Sequence, residues 1–148
     1  MIPEVDWVLR ASASRLLAEV APALGDAYLR SNVEVIAALM AAAAEEYDRA
    51  AHLRVEENRA MRAIFADAAP LLDEGTLRAR LAAAAAETDE SLRVSDLNAA
   101  NGRLRALLIE LHALVEERVE DWAARIRKAV GAELRASAQR RALSFYPI

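Results

Sequence analysis

The sequence predicts an all-α protein: an up-and-down bundle of four helices, two long (about 26–68 and 96–142) and two shorter. Three observations carry this. Ala, Leu, Glu and Arg dominate, and all four are strong helix formers. Only 4 Gly and 4 Pro occur, too few for the many tight turns of a sandwich or barrel. Apolar residues recur at helical spacing almost continuously from Pro3 to Ala142.

The first helix starts near Pro3, a favoured first-turn residue, with Glu4 and Asp6 suited to the positive end of the helix dipole. Val5, Val8, Leu9, Leu16, Leu17 and Val20 give its stripe, and Pro22 and Gly25 end it. The second opens on Asp26 as N-cap. Its stripe runs through Tyr28, Val35, Ile36, Leu39, Tyr47, Met61, Ile64 and Phe65, with no Gly or Pro before Pro70. At 1.5 Å per residue it spans ~65 Å, a length typical of a bundle or coiled coil. The third helix follows the turn at Pro70 to Gly75 and carries the Ala82–Ala86 tract; the spacing favours a break around 88–95 over continuation to Gly102. The fourth has the most regular stripe, from Leu97 and Leu104 through Leu111, Val115, Val119, Trp122, Ile126 and Val130 to Leu134. That stripe passes Gly102 and Gly131 in phase, so both glycines are expected inside the helix. Residues 143–148 form a short non-helical tail, and 1–148 is read as one domain.

With 55% apolar and 28% charged residues, the chain has the composition of a folded protein. No apolar run reaches the roughly 18 residues of a membrane span, and the acidic start, Glu4 and Asp6, lacks a basic leader region; the expected compartment is the cytoplasm. The absence of cysteine excludes disulfides, thiolate chemistry and cysteine-held metals. Of the basic residues 18 are Arg and one is Lys; with the many Ala, this points to a GC-rich bacterial genome and discounts Arg as a functional signal. Residues 118–148 carry 7 basic and 3 acidic groups, the remainder 12 and 20. That polarity suits self-association better than nucleic acid, because acids interrupt the basic stretch.

Few polar residues fall where chemistry would need them. His52 and His112 lack the Glu three residues before them that a di-iron bundle requires, so they are read as partly exposed helix residues, with no metal and no cofactor expected. No Gly-rich phosphate loop or HExxH motif occurs. Stepping from Tyr47 by three or four puts Arg54 and Asn58 near the apolar face of the second helix. One reading is a structural ion pair between Arg54 and Glu110 or Glu117 of the fourth helix. The other is a small-ligand site in an accessory enzyme subunit, built from Arg54, Asn58 and Arg62 at i, i+4, i+8 with Glu110 and His112. Asn32, Asn98 and Asn101 are read as residues that fix helix register, and Trp7 and Trp122 as core or interface anchors.

The run Leu97-Asn98-Ala99-Ala100-Asn101-Gly102-Arg103-Leu104, followed by Leu107-Leu108-Ile109, resembles the late helix of flagellar export chaperones, which bind the ends of hook-associated proteins. The segment Arg54-Val55-Glu56-Glu57-Asn58-Arg59-Ala60-Met61-Arg62, with Leu108-Ile109-Glu110-Leu111-His112, is similar to uncharacterised all-helical bacterial proteins, some of which accompany acyl-CoA dehydrogenases and small-molecule phosphotransferases. That resemblance implies an accessory role and no chemistry. No functional residue carries over from either.

The function expected is that of a non-catalytic interaction or accessory protein that self-associates as a homodimer or binds a helix of a protein partner, without nucleic acid or membrane. The expected contact surface is Trp122, Ile126, Val130 and Leu134, where the fourth helix outruns its neighbours, together with Phe145 and Tyr146. The rival is a bend near Gly131 that folds the last turns back. A ferritin-like metal protein is the remaining alternative, supported only by fold analogy.

Overall fold

Helix formers spaced in this way produce helices almost throughout. In the computed structural model, which describes residues 3–73 and 75–144, 84% of the described residues are helical and no strand occurs among them. Five helices are formed: α1 (Val5–Arg15), α2 (Ala27–Ala68), α3 (Thr76–Ala86), α4 (Val94–Glu116) and α5 (Asp121–Arg141). None is long and apolar enough to cross a membrane. The sequence reading treats 1–148 as one domain; by packing, the chain divides into two compact units, Met1–Ala50 with Leu143–Ile148, and Ala51–Ala142. Residues of α2 up to Ala50 belong to the first unit, those from Ala51 to the second.

In the first unit, α1 has Asp6 in its opening turn and Arg15 in its last, both favourable to the helix dipole. It runs on into a π-helical stretch, Leu16–Val20, closed by the Ala21 N–H bonding to the Leu16 carbonyl. Pro22 lies two residues on; with no N–H and a ring that crowds the carbonyl four residues back, proline disfavours regular α-helix there. The chain leaves helix after Ala23, with Leu24 extended. Asp26 then caps α2 as expected, its Oδ1 accepting from the Tyr28 and Leu29 amides at 2.8 and 3.1 Å. Near the end of this unit Glu45 accepts from the Ser144 amide and hydroxyl, the latter at 2.7 Å, and pairs with Arg49 at 3.1 Å. Those Ser144 bonds, which outweigh desolvation, hold the Glu45 carboxyl below its usual range.

The buried side chains of the first unit are small. Ala13, Ala21, Ala37, Ala44 and Ala50 are each 5% exposed or less, whereas Trp7, Tyr28 and Leu39 are 64%, 74% and 64% exposed. The second unit is the reverse. Met61, Ile64 and Phe65 of α2, Leu81 of α3, Leu104, Leu107, Leu108, Leu111 and Val115 of α4, and Ala123, Ile126 and Val130 of α5 form one core, with Phe65, Leu81 and Leu111 fully enclosed. Four helical segments thus share one apolar interior, as a bundle requires.

The helix boundaries correct the four-helix expectation in one place. The break between the third and fourth helices falls at 87–93, overlapping the expected 88–95. The helix expected over 96–142, however, is two helices, α4 and α5, parted at 117–120. Glu120 and Asp121 sit at the positive start of α5, where acidic residues suit the helix dipole. Arg127 ties the break together, reaching back to donate to the carbonyls of Val115 at the end of α4 and Arg118 in the connection, the second at 2.8 Å. Val119, counted on paper as part of the stripe, is 94% exposed. Gly102 and Gly131 lie inside α4 and α5 as expected.

Candidate functional site

Among the described residues of the second unit, Glu57 is the most deeply buried carboxylate. Glu57 lies one helical step after Leu53 and one before Met61, so the α-helical period points it into the interior with them. Its side chain is 1% exposed. A charge so placed requires donors on every side, and α4 and α5 supply them. Arg141 grips both carboxylate oxygens, Nε to Oε1 and Nη2 to Oε2, each at 2.6 Å. The Ser137 hydroxyl donates to Oε1 at 2.6 Å, Asn101 Nδ2 donates to Oε2 at 3.1 Å, and Arg105 Nη2 donates to Oε2 at 3.2 Å. Burial alone pushes the Glu57 carboxyl up; the Arg141, Ser137 and Arg105 donors outweigh it and bring the pKa down to about 2.

The network continues from there. Arg105 Nε donates to Asn101 Oδ1 at 2.8 Å, and Asn101 Nδ2 donates to Asn58 Oδ1 at 3.0 Å. Asn58 in turn donates to Asp89 at 3.0 Å, and Arg62 donates to the same Asp89 oxygen at 2.8 Å. The Arg62 guanidinium holds the Asp89 carboxyl below its usual range. Polar groups from α2, the 87–93 connection, α4 and α5 therefore form one chain of hydrogen bonds. Beside it Glu133 pairs with Arg140; burial, reinforced by the charge of Glu57, leaves the Glu133 carboxyl raised.

Chemically, this arrangement is a clamp. Each Glu57 oxygen already accepts two or more strong donors, so no lone pair is left for a substrate proton or a metal ion. A carboxylate with a pKa near 2 is also a very weak base. Among the described residues no group of three or more His, Asp or Glu is placed to hold a metal ion. Two cavities adjoin the network. One, of about 670 Å³, lies over the 87–91 connection and brings Arg62 and Arg103 together with Glu87, Asp89, Glu90 and Asp96. The other, of about 200 Å³, has Arg105 and Glu133 at its polar side and Met61, Leu108, Ile109 and Leu134 as its apolar wall.

Of the ligand residues expected from sequence, Asn58 and Arg62 come together and the others lie apart from them. Arg54, Asn58 and Arg62 share a helix face; Asn58 and Arg62 meet at Asp89, whereas Arg54 is engaged elsewhere. Arg54 Nε donates to Asn98 Oδ1 at 2.9 Å. Glu110 is held by Arg80 of α3 in a two-point pair at 2.6 and 2.8 Å, and Glu117 is exposed. His112 lies 3.7 Å from Glu116 along α4, and His52 is exposed. Of the expected contact residues, Ile126 and Val130 belong to the core of the second unit and Trp122 packs partly buried against it. The α4–α5 break is what returns them to the interior. Leu134 is 48% exposed, and Phe145 and Tyr146 lie outside the described residues. The sequence reading missed Glu57, Arg105, Ser137 and Arg141. Stepping the stripe from Leu53 would have found Glu57; seven residues on from Val130 lies Ser137, and four further lies Arg141.

Fold and site define an all-helical protein built on a buried polar clamp, without a recognisable catalytic centre in the described residues. Comparison with known proteins found no matching family model, no matching curated protein and no matching solved structure. The all-helical fold implied by the similarity to uncharacterised bacterial helical proteins is present.

Proposed function

We propose that this chain is a non-catalytic interaction module, bacterial and cytoplasmic, that self-associates as a homodimer through its first unit. One observation carries the reading: in that unit the buried side chains are alanines, while Trp7, Tyr28, Val35, Ile36, Leu39 and Tyr47 face outwards. Scattered exposed apolar residues are ordinary, but a set of large exposed side chains that includes two tyrosines and a tryptophan, over a unit whose buried side chains are alanines, supports a contact surface. A two-fold contact between identical chains is the commonest way to cover one. The saturated Glu57 clamp supports a structural role for the polar interior over a catalytic one. The dimer expected from sequence is kept, and its surface moves from the C-terminal helix to α1 and the first half of α2. Light scattering at micromolar concentration tests it. The expected mass is twice 16.1 kDa; a mass of 16.1 kDa that does not change on concentration would overturn it.

A further inference from the structure

In the second unit, the cavity of about 200 Å³ is lined by side chains of α2, α4 and α5. Its apolar wall runs from the buried Met61 and Leu108 to Ile109 and Leu134, which are 69% and 48% exposed. Arg105 and Glu133 stand at its polar side. Nε and Nη2 of Arg105 are engaged with Asn101, Glu57 and Ser137; Nη1 has no hydrogen-bond partner among the described residues. Glu133 Oε1 is held by Arg140, and Oε2 has no partner among the described residues. Neither free atom is sealed from solvent. With its side chain only 12% exposed, Glu133 thus keeps an acceptor unanswered, which is costly for a group so buried. One free donor and one free acceptor beside an apolar wall is the composition of a small-molecule site.

Size and charge narrow the occupant. At ~30 Å³ for each water-sized group, about 200 Å³ holds roughly seven non-hydrogen atoms, too few for a nucleotide. An anionic head would meet Glu133, on which the charge of Glu57 already bears. A cationic head would meet Arg105, and Arg140 where it pairs with Glu133. Either sets a like charge in a largely buried place, which is unfavourable. A primary carboxamide avoids both clashes: its N–H donates to Glu133 Oε2 and its carbonyl accepts from Arg105 Nη1. An alkyl tail then covers the apolar wall, and burial of that surface favours binding. We propose that this cavity binds a short-chain aliphatic primary carboxamide, held at its head by Arg105 and Glu133 and along its tail by Leu108, Ile109 and Leu134. The site lies within the second unit and does not depend on self-association.

The methionines, Met1, Met40 and Met61, give a direct readout. Met61 lines the cavity, whereas Met40 belongs to the first unit. The full chain is labelled with carbon-13 at the methionine methyls, and Met61 is assigned with Met61→Leu, a swap that conserves volume. Nuclear magnetic resonance then follows titration at neutral pH with pentanamide, pentanoate and pentylamine, which share a chain length and differ in head. The expected result is a saturable shift of the Met61 methyl with pentanamide at a Kd of about 1 mM, with Met40 unmoved, and binding about tenfold weaker or worse for both charged analogues. Leu134→Ala, at a half-exposed position, should fold and weaken pentanamide by about threefold or more. A Met61 signal that pentanamide does not move, a non-saturating shift of Met40 and Met61 alike, equal binding of all three heads, or an affinity that Leu134→Ala leaves unchanged would each overturn the proposal. The dimer is tested separately, by its mass in solution.

Discussion

Replacing Glu57 by Gln keeps the shape of the side chain and removes the charge on which the clamp converges. The carboxylate is 1% exposed, but Arg105 and Arg141, which would lose their counter-ion, are 42% and 38% exposed. Removing one member of a fully buried pair costs about 3–5 kcal/mol. Water reaching the two guanidinium groups recovers part of that, so the expected loss is about 3 kcal/mol. The pKa route agrees: a fall from 4.5 to about 2 corresponds to roughly 3 kcal/mol at about 1.4 kcal/mol per unit. The sign with pH follows. The folded-state pKa is depressed, so this stabilisation is complete above 4.5 and is lost as pH falls toward 2. Gln does not titrate there, so the gap between wild type and variant should be widest at neutral pH and narrow between those values. Urea unfolding followed by circular dichroism at pH 7 and about pH 3 measures it, and in thermal unfolding at pH 7 the midpoint should fall by about 6–12 °C for a chain of this size. A loss under about 1 kcal/mol at neutral pH, or a gap that does not narrow on acidification, would refute the reasoning.

Two further substitutions test the local structure. Gly102→Ala should stabilise by about 0.5–1 kcal/mol in urea unfolding, because the position is inside α4 and a Cβ there meets nothing within 4 Å. Arg127→Ala removes the donor to the Val115 and Arg118 carbonyls at the α4–α5 break and should cost about 1 kcal/mol, with faster amide exchange at 118–124 by mass spectrometry and little change in α3.

The helices were legible where local chemistry marks their ends. Asp26 caps α2, no Gly or Pro follows before Pro70, and the observed helix ends at Ala68. The break at 117–120 was not legible from periodicity, since Val115, Val119 and Ala123 stay in phase across it and no Gly or Pro interrupts them. The signal present was the acidic start Glu120-Asp121, which a search for apolar spacing ignores. The buried clamp was hidden for a different reason. The apolar stripe of α2 continues through a charged position, Glu57, and stepping from Tyr47 instead of Leu53 shifts attention to Arg54. Arg54 is only half-buried, whereas the buried charge of α2 is the acid Glu57. Its donors Asn101, Arg105, Ser137 and Arg141 lie 44 to 84 residues away, and only the folded chain brings them together. Likewise, the spacing of Tyr28, Val35 and Leu39 says that they share a face, and cannot say that their own chain leaves that face open.

The most direct test of self-association through the first unit compares two exposed leucines, one in each unit. Leu39 is 64% exposed in the first and Leu134 48% exposed in the second. Neither belongs to a core, so Leu39→Glu and Leu134→Glu should both fold, as circular dichroism will verify. Sedimentation velocity of wild type and both variants at equal micromolar concentration then gives the answer. A dimer for wild type and Leu134→Glu, with Leu39→Glu monomeric, is the predicted result; a monomeric wild type, or a dimer that Leu134→Glu dissociates and Leu39→Glu does not, would contradict it.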